Sequence, residues 1–175
     1  MTIININNLP EWFDKERFIS EEMKDISLSI EFIYESYFKN SKVLRDFVEI
    51  IWLKLNLPHS DMARFILVVD ELNNNAIEYW SEEWWENKLR INICNNWDEL
   101  GVCIEVEDTW KWLKHKNALE METLRAHQLK LWYGNHESIR GRGLFMIIVK
   151  SVDRLYFKDS DNWWLIVWIR KNVKI

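Results

Sequence analysis

The stretch VDELNNNA, residues 69–76, lies inside a longer amphipathic segment that spans residues 61–80. Apolar side chains recur along that segment every three or four residues, which predicts a helix with one buried stripe. Glu71 and Asn75 are four residues apart, so they point the same way, just beside the stripe. That position predicts two polar side chains at the edge of a cleft.

The chemistry of this pair suits phosphoryl transfer. A carboxylate can orient or deprotonate a hydroxyl, and a carboxamide oxygen is a hard ligand suited to Mg²⁺. The pair can equally belong to an ordinary solvated helix surface, because both residue types are common there. Asp70 and Asn74 repeat the spacing about 100° further round the axis, where we expect them to meet solvent.

The rest of the chain supplies alternating strand and helix signals around this helix. Residues 111–140 are polar and too long for a plain connection, so we interpret them as a lid that contains a helix at 117–132. The other predicted elements are strands at 3–6 and 25–34, a helix at 41–55 capped by Ser41, strands at 88–95 and 100–108, a helix at 144–152, and a closing hairpin of 153–158 with 163–170.

This element order predicts an α/β (α+β) fold: a two-layer sandwich of a mixed, mostly antiparallel sheet with the helices on one face. At 175 residues and 48% apolar content, the chain suits one domain with a sizeable core. Residues 1–24 are expected to be an N-terminal extension that can add an edge strand. Residues 25–175 are expected to form the main domain.

The composition also bounds the partners and the compartment. A net charge of −5 argues against a nucleic-acid partner, because phosphate neutralisation needs a basic surface. Cys94 and Cys103 are expected to be reduced, buried strand residues. No segment has the length of apolar sequence needed to span a bilayer, and no secretory signal is present. We therefore expect a cytoplasmic protein that has no membrane partner.

Two further segments carry residues suited to nucleotide binding. GRGL, residues 141–144, opens an apolar run, where glycines let the backbone approach a ligand and a helix N-terminus stabilises phosphate oxygens. Asp108 ends a strand of alternating character and can accept the exocyclic amine of adenine. Each signal alone also has an ordinary explanation, namely a turn that starts a helix and an aspartate that terminates a strand.

In this order, the three segments resemble the GHKL ATPases of the gyrase, histidine-kinase and MutL type, which have the Bergerat fold. The resemblance is closest to the small branch of anti-sigma factor serine/threonine kinases (SpoIIAB- and RsbW-like), and it covers about residues 25–170. Residues 65–80 resemble the N-box, 105–110 stand in place of the D-x-G box, and 140–153 resemble the second glycine box. The resemblance implies a histidine-kinase-like ATPase domain at 25–175 with its lid at about 111–140.

The resemblance also implies cofactors and residue roles, with ATP and Mg²⁺ as the cofactors. Glu71 would be the catalytic base, Asn75 the magnesium ligand and Asp108 the acceptor that reads adenine. The remaining nucleotide-binding residues would be those around the phosphates: Arg140, Gly141, Arg142, Gly143 and Leu144.

By the same resemblance, the chain would be a homodimeric anti-sigma regulatory factor. It would sequester a sigma factor and, as a serine protein kinase, phosphorylate a STAS-type anti-anti-sigma antagonist. Trp110 departs from the family, which has glycine there, so its indole can fill the adenine pocket, turn outwards or stack on the purine. The alternative is a degenerate, non-catalytic GHKL-like switch that binds partner proteins. A histidine-kinase catalytic domain is disfavoured because none of the four histidines lies in residues 1–24.

Overall fold

The computed structural model of the chain describes residues 1–80, 84–96, 98–109, 116–132, 151–162 and 164–174. Within these residues the strands are β1 (Thr2–Asn5), β2 (Leu28–Glu35), β3 (Glu86–Asn96), β4 (Glu99–Glu107), β5 (Arg154–Asp159) and β6 (Leu165–Lys174). The α-helices are α1 (Lys15–Glu22), α2 (Phe38–Lys54), α3 (His59–Asn75) and α4 (Ala118–Trp132).

The strands form one mixed sheet in the order β1-β2-β3-β4-β6-β5. β1 runs parallel to β2, and every other neighbouring pair is antiparallel. The β3–β4 and β5–β6 pairings confirm the two predicted hairpins. The mixed, mostly antiparallel sheet expected from the element order is therefore confirmed.

The helices cover one face of this sheet, and the core lies between the two layers. The ring of Phe32 on β2 lies 4.8 Å from that of Phe47 on α2. The hydroxyl of Tyr34, two residues further along β2, reaches Asn73 on α3. Met121 of α4 belongs to the same buried cluster. Each fully buried side chain of this size contributes about 1.5–3 kcal/mol through the hydrophobic effect, so the two layers hold each other.

The opposite sheet face carries a charged cluster on its central strands. Arg90 on β3 donates hydrogen bonds to Glu31 on β2 and to Glu105 and Glu107 on β4. Glu31 and Glu107 are buried despite lying on the side away from the helices. Charges that leave water need compensating partners: here three carboxylates share the guanidinium of Arg90, and Glu107 also pairs with Lys88 at 3.7 Å.

The two cysteines also lie on this outer face, so the expectation that both are buried was wrong. Cys94 is exposed and Cys103 is half-buried, and both thiols are free. The reason is strand alternation: their neighbours Ile93, Val102 and Ile104 take the core-facing positions.

The start of β2 differs from the predicted strand at 25–34. Asp25 and Ile26 have φ of 48° and 61°, and they form a tight turn closed by hydrogen bonds between Lys24 and Ser27. Ile26 is consequently 43% exposed and does not join the buried face. A β-branched residue at positive φ is disfavoured, so alternation of apolar residues could not reveal the turn.

Helix α2 begins at Phe38, three residues before the predicted cap at Ser41. Ser41 lies inside the helix, and its hydroxyl donates to Oδ1 of Asn74 on α3 at 2.8 Å. Asn40 holds the first turn in place by donating to the carbonyl of Glu35. The serine therefore joins two helices instead of capping one.

Helix α3 ends at Asn75, and residues Ala76–Trp80 continue as a π-helical turn. The predicted single helix over 61–80 thus changes type directly after the candidate magnesium ligand. π-helical turns are rare in proteins, and many of those that occur lie at functional sites.

Two further predicted features lie wholly or largely outside the described residues. Of the helix expected at 144–152, only the last two residues are among those described. The predicted lid at 111–140 is described only over residues 116–132. In the part of the chain that is described, no helix has the length and apolar character required to cross a membrane.

Candidate functional site

The candidate site is built on the last turns of α3. Glu71 is half-buried, and Asn75 is only 9% exposed at the end of the helix. Among the described residues, Nδ2 of Asn75 has no hydrogen-bond partner. Buried polar groups are nearly always paired with protein, water or ligand, so this unpaired N–H₂ donor marks a place where an acceptor, such as a phosphate oxygen, is expected to bind.

The second i, i+4 pair on α3 faces α2, and the expectation that it meets solvent was wrong. Asp70 is 8% exposed and forms an ion pair with Arg45 of α2. This hydrogen-bonded contact raises the pKa of Arg45. Asn74 accepts the hydrogen bond from Ser41. The two residues therefore fix the orientation of α3 against α2, and with it the direction in which Glu71 and Asn75 point.

Asn73, between these pairs, points into the core. It is 1% exposed, and its Oδ1 accepts a hydrogen bond of 2.8 Å from the hydroxyl of Tyr34. Burial, together with the charge of Asp108, raises the pKa of Tyr34 above its ordinary value. Asp108 is therefore within electrostatic reach of a phenol that is bonded to α3.

Asp108 itself is 2% exposed at the end of β4. Its backbone N–H donates to the carbonyl of Leu165, and its Oδ1 accepts the N–H of Leu165, both at 3.1 Å. These two bonds hold the carboxylate rigidly where β4 meets β6. The structure thus gives Asp108 the strand-terminating role considered from the sequence, in a buried position close to Tyr34.

The structure consequently relates two of the three sequence segments. Tyr34 and Asn73 connect the end of α3 to the region of Asp108. The predicted residues of the glycine box, Arg140, Gly141, Arg142, Gly143 and Leu144, lie outside the described residues, as does Trp110.

Tyr34 and Asn73 were not singled out from the sequence. One signal was available for Tyr34, because a tyrosine on the core-facing side of a strand needs a partner for its hydroxyl. For Asn73 no such signal existed, since three consecutive asparagines look alike without a structure.

The donor set of α3 fits a magnesium ion bound together with phosphates. A carboxamide and a carboxylate are hard oxygen donors, and Mg²⁺ usually takes one or two of these from the protein and fills its shell with phosphate and water. In the described ranges, no group of three or more His, Cys, Asp or Glu side chains could hold a metal ion by itself. A nucleotide would thus have to supply part of the coordination.

Comparison with known proteins establishes the fold only. No model of a known protein family matches the chain, and no curated protein sequence matches it. Among solved structures, the chain is similar to one in the SiaB–SiaC complex from Pseudomonas aeruginosa, with 13% sequence identity and a TM-score of 0.55. The match covers 93% of this chain and 100% of the other.

Proposed function

We propose that the chain is an ATP-binding anti-sigma regulatory factor. It would sequester a sigma factor and phosphorylate a serine of a STAS-type anti-anti-sigma antagonist. The observation that carries this proposal is the pair on α3: a buried Asn75 with an unpartnered amide, one helical turn after a half-buried Glu71.

The fold comparison supports the partner-binding half of the proposal. The similar chain is part of the crystal structure of the SiaB–SiaC complex. A fold that assembles with another protein is what an anti-sigma factor requires. The likeness in fold does not by itself extend to catalysis, which rests on the α3 residues.

In the proposed reaction, Asn75 would hold Mg²⁺ through its carboxamide oxygen, and the ion would neutralise charge on the transferred phosphoryl group. Glu71 would orient the accepting serine hydroxyl and take its proton. Asp108 would accept the adenine amine. The residues of the predicted glycine box would surround the phosphates.

The Asp70–Arg45 and Asn74–Ser41 contacts would keep this constellation in place. Small displacements of catalytic groups are costly, so fixing α3 against α2 is a condition for the proposed chemistry. These contacts use the side of α3 that the site does not need.

The competing proposal is a switch without catalysis, and Trp110 is the residue that favours it. An indole in place of the family's glycine next to adenine would obstruct the base pocket. The chain would then act through protein contacts alone, and the exposed Trp84 and Trp85 would suit such contacts.

Thermal unfolding with added nucleotide distinguishes the two proposals. A ligand at about 100 times its dissociation constant should stabilise the fold by about 2.7 kcal/mol. Stabilisation by ATP that requires Mg²⁺ would support the kinase. If Trp110→Gly alone confers stabilisation, while the unmodified chain shows none at millimolar nucleotide, the switch is the correct reading.

A further inference from the structure

The outer sheet face changes character between its centre and the β5–β6 end. At the centre, Arg90 is neutralised by three carboxylates. At the end, the register aligns Tyr156 with Trp168 and Arg154 with Arg170 on the same face. We define the basic corner as the five residues Arg154, Tyr156, Lys158, Trp168 and Arg170.

The basic corner carries uncompensated positive charge. Arg154 and Lys158 are exposed and Arg170 is half-buried. Among the described residues, none of the three lies within ion-pair distance of a carboxylate, and Arg170 donates only to the side-chain oxygen of Asn172. In a chain with a net charge of −5, a local cluster of this kind attracts acidic partners.

An aromatic surface lies between these cations. The rings of Tyr156 and Trp168 stack with centroids 4.2 Å apart and an interplanar angle of 16°, and Tyr156 is 42% exposed. An exposed tyrosine stacked on a half-buried tryptophan, beside arginines, is the composition that protein interfaces favour.

Protection of the sheet edge does not account for the charges. Edge strands commonly carry lysines to prevent pairing with other chains. Here α4 flanks the edge of β5: Arg125 donates to the carbonyl of Leu155, and Asp159 accepts the N–H of Ala118. The cations on the outer face are therefore not required to protect this edge.

A groove continues the basic corner around this edge. It has a volume of about 340 Å³ between α4 and β5, and Arg154 and Tyr156 belong to both the groove and the corner. Its other side chains are mainly apolar, with one further cation that is ion-paired with Glu122: Leu129, Val152, Leu155 and Arg125. The one carboxylate, that of Asp153, is engaged by Lys171 and by the N–H of Asn172.

We propose that the basic corner and its groove bind an acidic segment of a partner protein. An apolar side chain of that segment would enter the groove, and flanking carboxylates would pair with Arg154, Lys158 and Arg170. The observation behind this choice is charge complementarity: among the described residues, three cations without an ion-pair partner lie beside an apolar recess, and one of them, Arg154, lines it. The surface shares no residue with the candidate nucleotide site, so the proposal stands whether or not the chain binds ATP.

Fluorescence anisotropy on the full chain tests the proposal. The probe is a labelled short peptide in which aspartates and glutamates flank a central Leu-Phe pair. Its controls are the same peptide with asparagine and glutamine as the flanking residues, and a single-stranded oligonucleotide of similar length. The acidic peptide should bind most tightly, and added salt should weaken its binding.

Charge reversal locates the binding. The double variant Arg154→Glu, Lys158→Glu should weaken binding of the acidic peptide by about tenfold or more. The matched double variant Lys24→Glu, Lys54→Glu changes the same charge at exposed positions elsewhere and should leave binding unchanged. Circular dichroism of both variants verifies that these surface changes leave the fold intact.

Three results would overturn the proposal: no binding of the acidic peptide, equal loss of binding in the two double variants, or tighter binding of the oligonucleotide. The last result would assign the stacked aromatic pair to a nucleic acid. A variant that fills the groove, Leu129→Trp, should weaken binding of the Leu-Phe peptide. It should leave unchanged the binding of an acidic peptide with alanines at its centre. An equal loss of binding for both peptides would show that the groove does not hold the Leu-Phe pair.

Discussion

The hydroxyl of Tyr34 on β2 donates a hydrogen bond to Oδ1 of Asn73 on α3, with an oxygen–oxygen distance of 2.8 Å. Both side chains are essentially inaccessible to solvent. The bond ties the sheet to the helix two residues after Glu71 and two residues before Asn75. The position of the candidate site therefore depends on a contact that belongs to the core.

Tyr34→Phe should destabilise the protein by about 1–3 kcal/mol, because it leaves the buried oxygen of Asn73 without its donor while keeping the ring. Urea denaturation measures the change. Tyr37→Phe is the matched control, since Tyr37 is half-buried and its ring lies under Lys39 at the surface. A loss for Tyr34→Phe no larger than that of the control would mean that the bond contributes little.

Stability should also fall at alkaline pH because of Tyr34. Burial and Asp108 raise the pKa of Tyr34 above its ordinary value of 10.0. Above that pH the unfolded chain releases a proton that folded Tyr34 keeps, so the free energy of unfolding decreases as pH rises. Well above pH 10, each pH unit should cost about 1.4 kcal/mol for this group. Between about pH 10 and pH 11, where the unfolded tyrosine is at first only half ionised, wild type should lose about 1 kcal/mol more than Tyr34→Phe, and parallel pH profiles would contradict the assignment.

Asp70 and Glu71 are adjacent on α3, but replacing them should have different effects on the stability of the fold. Asp70→Ala removes the ion pair with Arg45 and should cost about 1 kcal/mol, because Arg45 stays partly in water. Glu71→Gln should change stability by less than about 0.5 kcal/mol while abolishing phosphotransfer. Denaturant unfolding measures the stability of both variants, and ATP turnover measures the activity of Glu71→Gln. A Glu71→Gln protein that is strongly destabilised would indicate a structural role for Glu71.

Arg90→Met should be among the most destabilising changes on the outer face. It leaves the buried Glu31 without its cation and Glu107 with only Lys88, 3.7 Å away, and an uncompensated buried charge typically costs about 3–5 kcal/mol. Adding Glu107→Gln should restore part of the loss by removing one charge. Arg17→Met is the control, since the Arg17–Glu21 pair is exposed. Equal stability of the two arginine variants would show that the Arg90 cluster stabilises the fold no more than an exposed ion pair does.

Much of the sheet could be predicted because its strands alternate strictly between two environments. In β4, Val102, Ile104 and Val106 face the core, and the intervening residues face outward. This alternation was visible in the sequence. The prediction from alternation failed at Ile26, because this apolar residue has the spacing of a strand residue but lies in a turn with positive φ.

The polar residues of α3 were harder to predict because their environment depends on neighbouring helices. Periodicity correctly places Glu71 and Asn75 beside the apolar stripe, but it cannot show that Arg45 and Ser41 of α2 cover Asp70 and Asn74. The missing information is tertiary. A long-range partner converts an apparently solvated carboxylate into a buried one.

The central claim, that Asn75 holds magnesium-bound nucleotide, is tested most directly by calorimetric titration of the purified chain with ATP. We predict binding that requires Mg²⁺, that is lost in Asn75→Ala, and that persists in the control Asn96→Ala, which changes an exposed asparagine at the end of β3. Absence of ATP binding at millimolar concentration, or equal magnesium-dependent binding by wild type and Asn75→Ala, would contradict the claim.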